Sequence, residues 1–393
     1  MQQQLISLSP DLKKLRDEGY EVEIKGGYAC IHHIPYVNEL KEVKFGILIS
    51  ELSLASPTST SRPANHAIYF MGEQPCHKDG MIMHEIINSS PNQNLGEGLV
   101  GNYYLSSKPA VGYYLNYYDK FKRYISLLST PAKSLDPEVS PATYKPFVDQ
   151  TFDTVFNYYD TNSSRANIVS INSRFQGQRI GIIGMGGTGS YILDLVAKTP
   201  VDEIHLYDAD NFLQHNSFRS PGAPSIEQLN EKKKKAVYFS EIYSRMHKGI
   251  IPHLVYITED TAHLLDELSF IFICVDKNSV RNSIIRQLVL KNIPFIDVGL
   301  GVTVVDDQLI GIVRTTTGTP EKNDHIANRI STENTDNNDY VSNIQIADLN
   351  SLNAVMAVIK WKKWSRFYQD LVQEHQSSYS INVAQLLNGD TTT

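Results

Sequence analysis

The chain has 393 residues, 41% of them hydrophobic, and a formal net charge of -7. That is enough for two domains with their own cores, and the acidic balance excludes a dedicated nucleic-acid surface, which needs clustered Lys and Arg. Three scattered cysteines, Cys30, Cys76 and Cys274, exclude a disulfide framework or a zinc ribbon, and no apolar run approaches the roughly 18 to 20 residues of a membrane span.

Residues 1–7 lack a basic region followed by a long apolar stretch, so no secretory signal is read there. The expectation is a soluble cytoplasmic protein with no nucleic-acid or membrane partner. Ser9 and Pro10 ahead of Leu12 and Leu15 read as an N-cap, a proline at the first helical position and a short amphipathic helix. Residues 21–25 alternate as a strand, Gly26 and Gly27 signal a hairpin, and 28–34 return. Residues 43–49 and 66–71 read as further strands around a polar stretch at 56–63, and 117–128 as a helix with an aromatic buried side. We expect a small mixed α/β domain over 1–150, a candidate for partner docking. His32 and His33 would alternate faces of a strand, which argues against a shared metal. Cys76 beside His77 is a candidate acyl acceptor only if exposed.

Residues 131–146 carry several prolines and read as a linker. From 151 to 393 strands alternate with helices: 180–183, 203–207, 254–257, 270–275 and 295–298 as strands, and 191–198 and 345–364 among the helices. The fold class is α/β: a doubly wound, mainly parallel Rossmann-like sheet preceded by the smaller mixed domain. Ligands of such sheets bind beyond the carboxyl ends of the strands. In the last helix Leu349, Leu352, Met356 and Ile359 share one face, and the polar stretch 315–342 reads as a long loop of the kind that is usually functional or disordered.

The chemistry-bearing residues follow these strands. Gly184, Gly186, Gly187 and Gly189 form a turn where backbone N–H groups can approach a phosphate at a helix N-terminus. The second strand ends in Asp208 and Asp210, followed by Asn216 and Arg219, more than the single acidic residue a nicotinamide site requires. Acidic groups there suit ribose and Mg²⁺, and Asn and Arg suit a triphosphate. Lys232 to Lys235 open the next helix, and Asp276 and Arg281 follow the fourth strand.

In this order and spacing, from about 163 to 363, the chain resembles the ThiF/MoeB and ubiquitin-activating enzyme superfamily. The resemblance implies an ATP- and Mg²⁺-dependent homodimeric adenylyltransferase. It implies activation of the C-terminal glycine of a ubiquitin-like β-grasp protein, with release of pyrophosphate, for a conjugating-enzyme-like partner, as in bacterial modification systems. Carried over by position, Asp208 would bind ribose, Asp210 would belong to the nucleotide site, and Asn216, Arg219 and Lys235 would hold phosphates. Asp276 would work with Mg²⁺, and Arg165 would reach the neighbouring subunit's ATP. Lys232 or Lys233 are alternatives to Lys235. The family often has Asp-Asn where this chain has Asp276 and Lys277, which changes the base-side environment.

No paired Cys-x-x-Cys motifs exist, so the structural zinc of many relatives is expected to be absent. No cysteine follows Cys274, which sits in an apolar strand where a thiol packs rather than reacts. Where relatives carry a thioester cysteine, residues 315–342 offer only Thr315, Thr316, Thr317, Thr319, Ser331 and Thr332. The first domain more loosely resembles a bacterial module found ahead of ThiF-type domains, on residues 34–38, His66, 72–75 and 105–109. Two alternatives stand beside conjugation: a sulfur-carrier, small-molecule or tRNA adenylyltransferase, and a nucleotide-binding scaffold without catalysis.

Overall fold

The structure is a computed structural model, and it describes residues 2–56, 58–145, 154–158, 160–166, 168–330 and 344–391. The chain divides into two compact units, 1–152 with 158–166, and 153–157 with 167–393. Among the described residues no helix is long and apolar enough to cross a membrane.

The first unit begins with α1 (Gln2–Leu8) and α2 (Pro10–Asp17), then β1 (Glu21–Lys25), β2 (Tyr28–Val37) and β3 (Val43–Glu51). Small ribbons β4 (Leu54–Ser56) with β5 (Ser59–Thr60), and β8 (Gln93–Gly96) with β9 (Leu99–Gly101), flank β6 (Ile68–Met71), β7 (Ile87–Ser89) and β10 (Tyr103–Leu105). The main sheet is antiparallel in the order β1-β2-β3-β6-β10-β7. α3 (Tyr117–Leu135) lies against β2 and β3, and a short α4 (Thr161–Arg165) completes the unit. Leu12 and Leu15 of α2 pack with Tyr117, Phe121 and Tyr124 of α3 in one core. Pro10 starts α2 as expected, but the Ser9 hydroxyl accepts from the Thr60 backbone N–H instead of capping the helix.

α3 runs through Pro131 to Leu135, so the first part of the expected linker is helical. Asn116 caps this helix by accepting from the Asp119 N–H at 2.8 Å. The β2–β3 register shifts between Ile31 and Ile34, and His33 takes a φ of 62°. At this bulge each histidine finds its own glutamate, His32 with Glu23 at 2.8 Å and His33 with Glu21 at 3.7 Å.

In the second unit α5 (Val169–Asn172) precedes β11 (Arg179–Ile183), α6 (Gly187–Val196) and β12 (Glu203–Tyr207). Then come α7 (Gln214–Ser217), α8 (Ile226–Asn230), α9 (Lys235–Tyr243), β13 (Ile250–His253), β14 (Phe270–Ile273) and α10 (Asn278–Leu290). β15 (Phe295–Val305), β16 (Gln308–Gly318), α11 (Ile326–Arg329), α12 (Ala347–Trp364), β17 (Gln376–Ser380) and β18 (Gln385–Gly389) close the unit. The sheet order is β13-β12-β11-β14-β15-β16-β17-β18, parallel from β13 to β15 and antiparallel beyond. Ile192 and Leu193 of α6, Phe239 of α9 and Ala357 and Trp361 of α12 share one core, while Ile284 and Leu288 of α10 belong to another with the opposite-facing Ile183 and Ile273. The fold is the α/β, doubly wound, mainly parallel arrangement read from the sequence.

Three further expectations require correction. The strand placed at 254–257 ends at His253; the following apolar run instead crosses the strand ends and buries Ile257 in the α10-side core. The loop placed at 315–342 begins inside a strand, because Thr315, Thr316 and Thr317 are buried in β16 between β15 and β17, where β-branched residues fit. Within 318–330 the chain also forms α11; Ser331 and Thr332 lie outside the described residues. The helix α12 buries more than the face read from its large apolar residues. Leu349 is buried with Val302 and Val313, Leu352 and Met356 pack against them, and of that face only Ile359 is exposed. A further buried side carries Asn350, Asn353, Ala354, Ala357 and Trp361, and its small and polar members let α12 approach α6 closely.

Candidate active site

Each glycine of the turn after β11 has a separate cause. Gly184 has a φ of 93°, a conformation that side chains disfavour, and a Cβ there would lie 2.7 Å from the Cys274 carbonyl oxygen. A Cβ on Gly189 would lie 1.9 Å from the Gly184 carbonyl oxygen, and one on Gly187 would lie 2.1 Å from Asn350 Nδ2. These positions close the turn and seat α6 against α12. Gly186 differs: a Cβ there would meet nothing within 4 Å. Its open side faces a cavity of about 1060 Å³ at the carboxyl ends of the parallel strands. The first N–H groups of α6 have no intrahelical acceptor, which suits an anion at this position.

Asp208, buried at the end of β12, braces the turn. Its Oδ2 accepts from the Met185 N–H at 2.7 Å and its Oδ1 from the Asp210 N–H at 2.8 Å. Burial raises its pKa, an effect opposed by Lys235 and by these two N–H bonds. Lys235 opens α9 and extends Nζ to 2.7 Å from Asp210 Oδ2 and 3.9 Å from Asp208 Oδ2. The hydrogen bond from Lys235, then that from the Tyr256 hydroxyl, lowers the Asp210 pKa; the hydroxyl donates to Oδ1 at 2.5 Å. Of the lysine run, Lys233 is engaged by Glu231 and Glu241 at 2.8 and 2.6 Å, and Lys234 donates to the Ala209 carbonyl. Lys235 is the member that lines the cavity.

The cavity wall also includes Gly184, Gly186, Gly187, Arg219 and Asp276. Asn216 is not part of that wall: its Oδ1 accepts from the Leu213 N–H at 2.8 Å, so it shapes the turn leading to Arg219. Gly189 likewise acts behind the wall, through packing. Arg165 belongs to the first unit, where its exposed side chain donates to the Asp17 carbonyl at 3.3 Å.

Several wall residues were not singled out in the sequence. Tyr256, Asn350, Asn353 and Gln345 line the cavity, as does Arg281, which was named with Asp276 but given no role of its own, and the spacing of Asn350 and Asn353 on a buried helix face was a readable signal. Asn350 accepts from the Thr188 hydroxyl at 3.0 Å and donates to the Arg219 carbonyl at 3.3 Å, tying α12 to the turn and to the arginine. Among the described residues Arg219 Nε, Asn353 Oδ1 and Gln345 Oε1 are buried atoms without a hydrogen-bond partner. Buried polar atoms are rarely left so, and at a cavity wall they mark positions a bound group can satisfy. Cys274 also reaches the wall, but burial pushes its thiol far up, which disfavours the thiolate a nucleophile needs. Cys76 is buried, with its thiol also pushed up by burial, so the condition for an acceptor role is not met.

The model of the ThiF family matches residues 159–369, more than half of the chain. The chain belongs to the ThiF family. That membership supports ATP-dependent adenylyltransferase activity, and in this ThiF protein the glycine turn, both aspartates and Lys235 sit where such a fold binds its ligand. Residues 10–161 match the model of a domain of unknown function, DUF6791. Among solved structures, the ThiF protein is similar to Escherichia coli MccB with ATP at a TM-score of 0.47 and 17% identity, covering 59% of this chain and 69% of that chain. PaaA matches at a TM-score of 0.47 and 15% identity, covering 69% of this chain and 95% of that chain. No curated protein matches the chain.

Proposed function

We propose that this ThiF protein uses ATP and Mg²⁺ to adenylylate the C-terminal glycine carboxylate of a ubiquitin-like β-grasp protein, and that the activated product passes to a conjugating-enzyme-like partner. The observation that carries the reading is the convergence of an open glycine turn, a lysine, an arginine and carboxylates on one cavity at the strand ends. A carboxylate oxygen of the substrate attacks the α-phosphorus, the bond from that phosphorus to the bridging oxygen breaks, and pyrophosphate leaves; no proton need move.

The N–H groups at the start of α6 receive phosphate oxygens, with Gly186 leaving them room. Asp208 retains lone pairs for ribose hydroxyls beyond the two N–H bonds it accepts. Lys235 holds three donors, so it can keep Asp210 while contacting the α-phosphate as charge builds there. Arg219 meets the departing phosphates. Asp276 is exposed at the wall and has no ion-pair partner among the described residues. A lone carboxylate with phosphate oxygens and waters is the usual donor set for Mg²⁺, and no cluster of three ligating side chains occurs among the described residues. When bound, the ion would screen phosphate charge. In this reading Arg165 serves the ATP of a second copy in a homodimer, and Asn216 supports the phosphate site indirectly, through Arg219.

The acyl group leaves without a thioester on the enzyme, because burial disfavours the thiolate of Cys274, and the burial of Thr315, Thr316, Thr317 and Thr319 disfavours an oxyester on those hydroxyls. ATP–pyrophosphate exchange measured with purified protein and a β-grasp candidate tests the proposal. Exchange that needs the intact C-terminal glycine is expected. Exchange with no β-grasp protein present would move the assignment to a small-molecule or tRNA substrate, and ATP binding without exchange under any partner would favour the scaffold.

A further inference from the structure

One cluster beside the cavity has no part in that scheme. Asp297 of β15 is fully buried, its pKa raised by burial against the pull of two arginines. Arg281 Nε lies 3.0 Å from its Oδ1, and Arg314 of β16 donates from Nη2 to its Oδ2 at 2.6 Å. A buried carboxylate shared by two guanidinium groups is a costly arrangement that apolar packing can often replace without loss of stability. The guanidinium of Arg281 shows what this one can do besides stabilise. Nη2 donates to the Val275 carbonyl at 2.5 Å, and Nη1 to Asn278 Oδ1 at 2.6 Å. Those two acceptors flank Asp276, one residue before it and two after.

We propose that Asp297 and Arg281 form a positioning clamp for the segment 275–278, fixing where Asp276 stands in the cavity. Asp297 draws the guanidinium towards β15 as an ion pair, and the guanidinium staples the segment on both sides of Asp276. Arg314, which also donates to the Thr316 hydroxyl, anchors the opposite oxygen of Asp297 and ties the clamp to the antiparallel half of the sheet. Among the described residues Asp276 makes no hydrogen bond or ion pair of its own, so the clamp on either side of it is what holds its segment. Asp297 and Arg281 are positioning residues here, because neither needs to touch the reacting atoms. The inference rests on the proposed role of Asp276 for its functional consequence, but not for its structural content.

The test uses the full chain with two readouts. The first is hydrogen exchange over 275–281 without ligand; the second is the gain in affinity for a non-hydrolysable ATP analogue when Mg²⁺ is added. Asp297→Asn and Arg281→Lys are expected to speed exchange over 275–281 by at least tenfold, leave β11 protected, and cut the Mg²⁺-dependent gain about tenfold. Asp276→Ala should abolish the gain while exchange of the segment stays at the wild-type rate. Ile250→Ala, a destabilising change on the edge strand β13, should alter neither readout at temperatures where it is folded. Unchanged exchange over 275–281 in folded Asp297→Asn would overturn the clamp. If Asp297→Asn fails to fold, Arg281→Lys decides by the same readouts. Failure of the wild type to bind the analogue would defeat the proposed function instead, and the exchange measurement would still decide the clamp.

Discussion

The two units spend their buried polar groups differently. In the first, Tyr124 donates to the His66 carbonyl and accepts from the Ser107 N–H, Tyr117 donates to the Glu51 carbonyl and accepts from the Ser53 N–H, and Lys120 donates to Ser50. Burial pulls Lys120 down to about 8, yet its ammonium remains closed inside the unit. These groups join α3 to the sheet and the segments beside it. In the ThiF unit one set of buried polar groups gathers at the strand ends, and there Arg219, Asn353 and Gln345 each keep a polar atom open. A buried polar side chain therefore indicates chemistry when its hydrogen bonds are unfinished and converge, and architecture when they close on the backbone.

The sharpest way to break this comparison is to remove the group given the most direct role. Lys235→Ala should lower substrate-dependent pyrophosphate exchange by roughly 100- to 1000-fold, the scale of losing a preorganised charge at a reacting centre. Circular dichroism should still report a folded chain. Exchange within a factor of three of wild type would return Lys235 to a purely structural pairing with Asp210.

The glycine turn gives the next contrast. Gly189→Ala drives a Cβ to within 1.9 Å of the Gly184 carbonyl oxygen, so the turn must shift. Stability should fall by about 1–3 kcal/mol with loss of ATP binding. Gly186→Ala meets open space, so the unfolding free energy should stay within about 0.5 kcal/mol of wild type. Nucleotide affinity should nevertheless drop as the added methyl fills the approach to the phosphates. Isothermal titration and thermal melts on both variants separate the two glycines; equal affinity in Gly186→Ala and wild type would remove that residue from the phosphate path.

In the first unit the corresponding change is Tyr124→Phe. It deletes one hydroxyl and leaves the His66 carbonyl and the Ser107 N–H without that partner. A loss of about 1–3 kcal/mol follows from stranding buried backbone groups, read by denaturant unfolding. Pyrophosphate exchange measured below the transition should not move.

Much of the site was legible because strand ends, glycines and charged residues follow one another in chain order. Gly184, Asp208 and Asp276 could be placed on turns after strands, and Lys235 at the start of a helix, before any contact was known. Asp297 and Arg314 could not, because an acidic residue and a basic one within a long antiparallel hairpin give no local sign of pairing across 17 positions. The second buried side of α12 was missed for a related reason. Periodicity weights Leu, Met and Ile, which do pack at Leu349, Leu352 and Met356, whereas the approach to α6 uses Ala and Asn. The threonines of β16 read as loop because three in succession look polar, although threonine suits a strand whose hydroxyls find partners, as Thr316 does with Gln376.

The smallest predicted effect concerns pH and tests how far the architectural reading extends into the ThiF unit itself. His247 is fully buried behind α9, away from the cavity. Its Nδ1 accepts from the Gly249 N–H at 3.0 Å, so Nε2 carries the proton and donates to the Val201 carbonyl at 3.0 Å. Burial lowers its pKa from 6.5, because the charged ring would be stripped of water. The unfolded chain therefore binds a proton more readily than the folded one. Stability should be intact above pH 6.5 and fall as the pH drops from there towards the folded value, where the loss levels off. His247→Gln keeps a side-chain donor but cannot titrate, so its unfolding free energy should show a shallower acid slope, measured by urea denaturation from pH 7.5 to 5. Parallel slopes for the two proteins would show that His247 binds its proton equally well in both states, and would remove it from the group of side chains whose closed hydrogen bonds serve the fold.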